Sequence, residues 1–268
     1  MTRIRQAVIP AAGVGKRFYP LTRAQPKEML PILDKPLIHY VVEEAIKSKL
    51  DQILIIVGHG KDAIIDYFDY HFLDDNQDEY AIKYMPDIFF VRQKKPLGLG
   101  DSLRYAKNFT RDEPFVVLLG DTIYRSSKEE TVTWSLLNDF QKKGDPLVLV
   151  EKIREEKISD YGIVEVTKNL RITKFLEKPL PTETTSRLGI TGTYILTAEI
   201  YSYLDKLKKG RNDEYQLTDA LDLYARDYST YASILNGKRY DVGTKELWMS
   251  TFFEFTKNDE RFRRVLKN

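Results

Sequence analysis

Short apolar runs bounded by polar or glycine residues recur through the first half of the chain, at Gln6–Ala11, Gln52–Val57, Phe115–Leu119 and Pro146–Val150. Consecutive apolar positions over so few residues predict strands covered on both faces. Helical spacing lies between them. Over Pro36–Lys47 the residues Leu37, Tyr40, Val41 and Ala45 share one face, and Pro36 suits a first helical position. Lys61–Phe68 and Gly98–Asn108 read as further helices. Strand and helix in alternation predict βαβ units and a mostly parallel sheet. After about Lys152 the pattern changes. Tyr161–Val166, Ile172–Glu177 and Gly192–Leu196 predict short strands among turn residues, followed by helices at Ala198–Lys206 and Glu214–Tyr228. A strand at Tyr231–Leu235 and a helix at Lys245–Phe255 complete the series.

The expected fold is α/β: a Rossmann-like three-layer core around a mostly parallel, mixed central sheet, with a small β-rich subregion. No linker, repeat or low-complexity tract divides the chain. The 268 residues are therefore read as one domain, with a half over about 1–150, a second half over about 151–245 and a helical segment over 246–268.

Composition changes this picture only by exclusion. With 42% hydrophobic and 31% charged residues the chain can bury a core and stay soluble. A net charge of +2 argues against a general nucleic-acid or membrane surface, so phosphate-binding cations must be placed locally. There is no cysteine, which excludes disulfides, thiolate metal sites and thiol nucleophiles. The first residues, Met1 to Gln6, run into a strand with no apolar signal region, and no apolar run reaches the roughly 20 residues of a membrane span. A cytoplasmic protein is expected. His39, His59 and His71 are scattered and read as ordinary residues, and the acidic run from Asp74 to Glu79 reads as a solvated loop.

The first strand leads into Ala11-Ala12-Gly13-Val14-Gly15-Lys16-Arg17. Such a loop can bring backbone N–H groups close to phosphates. It matches neither the P-loop, since Arg17 follows Lys16, nor the dinucleotide fingerprint, since Phe18 stands where a third glycine belongs. Alone, it is equally a tight turn with a surface Lys-Arg pair. The loop continues, however, through Pro26-Lys27-Glu28-Met29-Leu30-Pro31, and long loops inside compact domains are usually functional. Lys16, Arg17 and Lys27 thus gather at the C-terminal end of a strand, the edge where α/β sheets bind ligands.

Gly13-x-Gly15-x-Arg17 followed by Pro26-Lys27-Glu28-Met29-Leu30-Pro31 resembles the opening of the sugar-nucleotide pyrophosphorylases, and Glu28-Met29 resembles their UTP–glucose-1-phosphate uridylyltransferase branch. The likeness runs from about Gln6 to Trp248, with separated motifs in the family's order. It implies a Mg²⁺-dependent nucleotidyltransferase that joins UTP to glucose 1-phosphate. The resemblance assigns Ala11, Ala12, Gly13, Gln93 and Gly98 to the nucleotide. A Gln amide, donor and acceptor at once, suits the imide edge of uracil. Asp121 after the strand Phe115–Leu119 and Asp241 in Tyr240-Asp241-Val242-Gly243 are the implied metal carboxylates. Taken singly, each Asp is a cap or turn residue. Gly162, Glu177, Lys178 and Tyr194 resemble the sugar-phosphate side. The segment Asp213–Asp219 is similar to the same branch and reads mainly as an acidic helix start, or as a subunit contact. A homo-oligomer, dimer or tetramer, is expected.

The implied reaction is displacement at the α-phosphorus by an oxygen of the sugar phosphate. Arg17 attends the leaving pyrophosphate, Lys27 the α-phosphate and Lys178 the attacking phosphate. Gly120 resembles instead the thymidylyltransferase branch, so dTTP is the alternative nucleotide, and a non-catalytic regulatory subunit is the alternative outside enzymes. Uracil and thymine differ by one methyl, worth about 1–3 kcal/mol in a pocket.

Overall fold

The computed structural model describes residues 3–69 and 85–267. His71, the acidic run from Asp74 to Glu79 and most of the compact stretch between Tyr67 and Arg92 lie outside the described residues. The strands are β1 (Gln6–Ala11), β2 (Pro31–Ile32), β3 (Lys35–Pro36), β4 (Gln52–Val57), β5 (Asp87–Arg92), β6 (Phe115–Leu118), β7 (Thr122–Ser126), β8 (Leu147–Lys152), β9 (Gly162–Val166), β10 (Ile172–Glu177), β11 (Leu188–Leu196), β12 (Tyr231–Ile234) and β13 (Gly237–Asp241).

One nine-stranded sheet runs in the order β10-β9-β11-β6-β1-β4-β5, with β8 joined to β11 and β12 joined to β8. The parallel pairings expected of the first half are present: β6–β1, β1–β4 and β4–β5. The second half adds a parallel β12–β8 pair but joins the sheet through antiparallel β11, with β9 and β10 antiparallel beyond it. The sheet as a whole is therefore mixed. Two small antiparallel ladders, β13–β7 and β2–β3, stand outside it.

Alternation along β1 builds the three layers. Ala7, Ile9 and Ala11 face a core with the helices Leu37–Lys47 and Val132–Lys143, while Val8 faces a second core with Leu103, Ile200 and the helix Leu217–Asp227. A third cluster, Phe18, Leu30, Ile32, Leu37, Ile123, Tyr240 and Val242, fixes the long loop after β1 against β7, β13 and the last helix, Lys245–Asn258. This anchor matters for function, because a loop of short 3-10 turns has little stiffness of its own.

Several local expectations shift. Pro36 ends β3 and precedes its helix rather than opening it, because its ψ of 152° is extended. Gly98–Asn108 divides into Leu99–Arg104 and Lys107–Thr110. The helix expected from Glu214 begins at Leu217, after Asp213 in the left-handed region. The helix Val132–Lys143, capped by Thr131, was not expected from the sequence, and neither were β2, β3, β5, β7 and β13.

Candidate active site

The candidate residues meet along one edge of the sheet. Across the strand order they fall as Glu177 at the end of β10, Gly162 at the start of β9, Tyr194 within β11, Asp121 just after β6, Ala11 at the end of β1, and Gln93 just after β5. Gln93 donates its backbone N–H to the Val57 carbonyl, which places it level with the end of β4. Asp121 therefore stands between a sugar-side group on the antiparallel strands and a nucleotide-side group on the parallel ones. This edge is also where the strand direction reverses, between β6 and β11. α/β sheets form ligand crevices at such points.

A cavity of about 300 Å³ opens here. Its wall brings together Arg17, Asp121, Gly162, Glu177, Lys178, Tyr194 and Asp241. Lys27 touches it through Asp121. Ala11, Ala12, Gly13, Gln93 and Gly98 are not in this wall, although Leu99 is; they occupy the neighbouring part of the edge. Position 13 is open, since an added Cβ would meet nothing within 4 Å. Gly98 has a structural reason as well: its φ is +101°, and a Cβ would lie 2.8 Å from the Tyr215 carbonyl oxygen.

The centre is ionic. The ammonium of Lys27 pairs with the carboxylate of Asp121, and both side chains are mostly buried, 14% and 21% exposed. Burial works to raise the Asp121 carboxyl, but Lys27 and, further off, Arg17 outweigh it and hold it below the usual carboxylate range. Burial likewise works to lower Lys27, and is overcome by Asp121 and Glu28, so its ammonium is held above the ordinary value. Asp241 lies on β13 opposite Thr122 of β7, and Val242 donates its N–H to the Asp121 carbonyl at 3.0 Å. Arg17, on a 3-10 turn after Gly15, is exposed at the rim.

On the sugar side Glu177 accepts from Thr218 Oγ1 at 2.8 Å and pairs with Lys178 Nζ at 3.0 Å. Lys178 has a φ of 46°, unusual for a residue with a side chain. Tyr194 is buried, which pushes its phenol upward. A Cβ at Gly162 would lie 3.0 Å from both Ile190 and Thr218 side chains, so glycine keeps this wall open. On the nucleotide side the Gln93 amide is buried and donates to Asp101 Oδ2 at 2.7 Å and to the Gly98 carbonyl at 3.3 Å.

A family model for nucleotidyl transferases matches residues 6–258. The chain belongs to the nucleotidyl transferase family. It is 40% identical over 284 aligned positions to a UTP–glucose-1-phosphate uridylyltransferase 2 of Streptococcus pyogenes, covering 100% of this chain and 95% of that one. It is similar in structure to a UDP-glucose pyrophosphorylase complexed with UDP-glucose, at a TM-score of 0.89 and 35% identity over 96% of this chain and 100% of the other. A UTP-bound UGPase from Acinetobacter baumannii superposes with a TM-score of 0.88 at 26% identity, over 98% and 97% of the two chains.

In this nucleotidyl transferase the two carboxylates Asp121 and Asp241 form a hard oxygen donor set on one cavity wall. Two carboxylates are too few for a complete protein cage but suit Mg²⁺, which takes one or two of them and fills its octahedron with phosphate oxygens and water. The residues therefore fit the ion. Among the described residues no group of three or more His, Cys, Asp and Glu side chains is arranged to hold a metal.

Sequence reasoning missed several members of the wall. Arg239, buried, pairs with Glu151 at 2.7 Å and with Asp241 at 3.5 Å, and lies 4.5 Å over the Tyr161 ring. Glu214, Gln216 and Thr218 line the cavity, so the segment read mainly as a helix start is part of the site. It is docked by Tyr215, whose N–H donates to the Leu97 carbonyl and whose carbonyl accepts from Gly100. Behind Lys27, Glu28 forms a buried pair with Lys61 at 2.6 Å, side chains 2% and 6% exposed. His39 is a buried packing residue against Tyr67 and Glu43, and His59 is exposed.

Proposed function

We propose that the protein transfers the uridylyl group of UTP to glucose 1-phosphate, giving UDP-glucose and pyrophosphate. One observation carries the reading. The phosphate-type loop after β1 and a sugar-sized cavity with its own Glu-Lys pair flank a single ionic centre, Lys27 with Asp121. Relatives named for this reaction support it, at 40% identity over the full chain and at 35% with UDP-glucose bound.

In the proposed reaction an oxygen of the sugar phosphate forms a bond to the α-phosphorus as the bond to the pyrophosphate oxygen breaks. The attacking monoester is largely dianionic near neutral pH, with a second pKa of about 6, and needs little help from a base. The obstacle is the approach of two polyanions, so charge neutralisation and alignment supply most of the catalysis. Arg17 at the rim is assigned to the departing pyrophosphate, Lys27 to the α-phosphate and Lys178 to the attacking phosphate. Glu177, Gly162 and Tyr194 form the sugar pocket, Gln93 meets the base, and Ala11, Ala12, Gly13 and Gly98 line the nucleotide path. Asp121 and Asp241 would hold Mg²⁺, which when bound neutralises phosphate charge. The full set of cations and carboxylates argues for an enzyme rather than a regulatory subunit. A cytoplasmic homo-oligomer, dimer or tetramer, is the proposed working form. Exposed Met249 and Phe253, one turn apart on the last helix, give it a surface, and sedimentation would measure it.

The test is pyrophosphate release with UTP or dTTP against a panel of sugar 1-phosphates and Mg²⁺. The reading expects the highest kcat/KM for UTP with glucose 1-phosphate. A clear preference for dTTP would move the protein to the thymidylyltransferase reading.

A further inference from the structure

We infer that Lys27 is an internal counter-ion that holds Asp121 until nucleotide phosphates draw it away, so that the site takes up a metal–nucleotide complex and resists a free divalent cation. The inference rests on the proposed reading of Asp121 and Asp241 as metal carboxylates.

The three central carboxylates each have a cation beside them, although Arg239 is shared with Glu151 and the wall also carries Asp160 and Glu214. Asp121 is paired with Lys27, Asp241 faces Arg239 at 3.5 Å, and Glu177 is paired with Lys178 at 3.0 Å, with Arg17 adding a further cation to the wall. A dication arriving alone therefore meets an Asp121 carboxylate that already has its cation, not a bare one. To take Asp121 Oδ2 it must displace the Lys27 ammonium. That side chain is only 14% exposed, so water can do little to solvate the displaced charge. A buried cation stripped of its partner is costly.

The backbone of Lys27 gives it no other retreat. The turn Lys27–Met29 is closed by Met29 N–H to the Pro26 carbonyl and Leu30 N–H to the Lys27 carbonyl, both 3.0 Å. The next residue, Glu28, is clamped by buried Lys61 from the loop after β4. Only the side chain can swing. When a triphosphate enters, its oxygens supply both missing partners: they receive the ammonium, and they complete the coordination of the cation on Asp121. Metal and nucleotide then favour each other's binding. Such coupling is reciprocal, each ligand strengthening the other by the same factor. For a site competent in only a fraction of molecules, apparent affinity falls by that fraction.

Mn²⁺ serves as the probe, with its free concentration read by electron paramagnetic resonance in the absence of nucleotide. Lys27→Met and Lys27→Gln should each bind Mn²⁺ at least roughly tenfold more tightly than the wild-type protein, although both lose turnover. Adding Asp121→Asn to Lys27→Met should abolish the gain. Circular dichroism and thermal unfolding show which variants are folded, and either one suffices. Equal Mn²⁺ affinity in the wild type and a folded Lys27 variant overturns the counter-ion role. The reading beneath fails separately: if Asp121→Asn leaves Mn²⁺ binding in the presence of UTP unchanged, Asp121 is not a metal carboxylate at all.

Discussion

Replacing Lys61 by methionine should be among the most destabilising single changes in this protein. Its Nζ lies 2.6 Å from Glu28 Oε2, and the two side chains are 6% and 2% exposed. Burial lowers the lysine from its ordinary value in spite of the carboxylate beside it, a measure of how dry the pocket is. At an effective dielectric of about 20 a contact pair attracts by several kcal/mol. Most of that offsets desolvation, so the intact pair adds little net stability. Breaking it is different. The substitution Lys61→Met would leave the Glu28 carboxylate buried without its contact partner, with only the more distant Lys27 nearby, at a cost of about 3–5 kcal/mol. For a chain of this size each kcal/mol moves Tm by roughly 2–4 °C, so Lys61→Met should lower Tm by about 10 °C. Adding Glu28→Leu should recover most of the loss, because an apolar pair of similar volume is often neutral or better. The recovered double variant should still turn over more slowly, since Glu28 then no longer pins the turn that carries Lys27. Calorimetry on the two singles and the double gives the coupling energy directly. For Lys61→Met, a Tm within about 2 °C of wild type, less than a single kcal/mol would shift it, would refute the claim that this pair is dry.

Asp121→Asn and Asp241→Asn should each lower kcat by orders of magnitude with the fold intact by circular dichroism; near-normal rates at limiting Mg²⁺ would remove both from a metal role. Gln93→Ala should raise KM for UTP about tenfold, the worth of one lost hydrogen bond, with KM for the sugar phosphate nearly unchanged in steady-state kinetics. Lys178→Ala should harm both KM for the sugar phosphate and kcat, and Lys178→Arg should not restore them, because a planar fork replaces a compact ammonium; an effect confined to the UTP parameters would reverse the proposed orientation of substrates. Glu43 gives a pH prediction: burial works to raise its carboxyl, but a hydrogen bond from His39 and the ammoniums of Lys47 and Lys35 prevail and depress it from 4.5 to about 2. Its contribution, about 3 kcal/mol at most, is present above pH 4.5 and lost as pH falls towards about 2, so urea titrations of Glu43→Gln should show a flatter loss of stability over that window.

The parts of the fold visible in the sequence are those governed by local pattern. β1 and β4 keep their predicted limits because six consecutive, mostly apolar residues in each are covered on both faces. β10 also keeps its limits, as a short strand bounded by turns. β5 is the edge of the sheet and half exposed, and β7 and β13 exist only because they pair with each other across more than a hundred residues. Nothing local marks Gly237-Lys238-Arg239-Tyr240-Asp241 as a strand; its one buried apolar residue, Tyr240, packs in a cluster assembled from five regions of the chain. The site divides in the same way. Motif residues on the loop after β1 and on Glu177-Lys178 could be named because together they resemble a known family's motifs; singly each reads as a turn or a strand-end ion pair. Arg239 and the buried pairing of Lys61 with Glu28 could not, since a buried charge reads like a surface one until its partner, 88 residues away for Arg239 and 33 for Lys61, is known.

The antiparallel entry of β11 beside β6 explains why one domain can serve two charged substrates. In an all-parallel sheet each strand brings only its C-terminal end, with its following loop, to the binding edge. Here β11 runs the other way, and Leu119 N–H bonds to the Gly192 carbonyl where the two directions meet. The edge therefore receives the middle of β11, the beginning of β9 and the end of β10 on one side, and the ends of β1, β4 and β5 on the other. Two sets of side chains of different make are thereby held on one sheet, with Asp121 at the seam. A reaction that depends on bringing two phosphates into line needs their supports fixed to within a fraction of an ångström, and a single hydrogen-bonded sheet supplies that better than two hinged domains. The proposed reaction then asks movement only of side chains, Arg17 at the rim and Lys27 at the seam. It follows that substitutions at Gly192, a cavity-lining residue whose φ is +98° and whose added Cβ would lie 2.7 Å from Leu119, should disturb both substrates' parameters together.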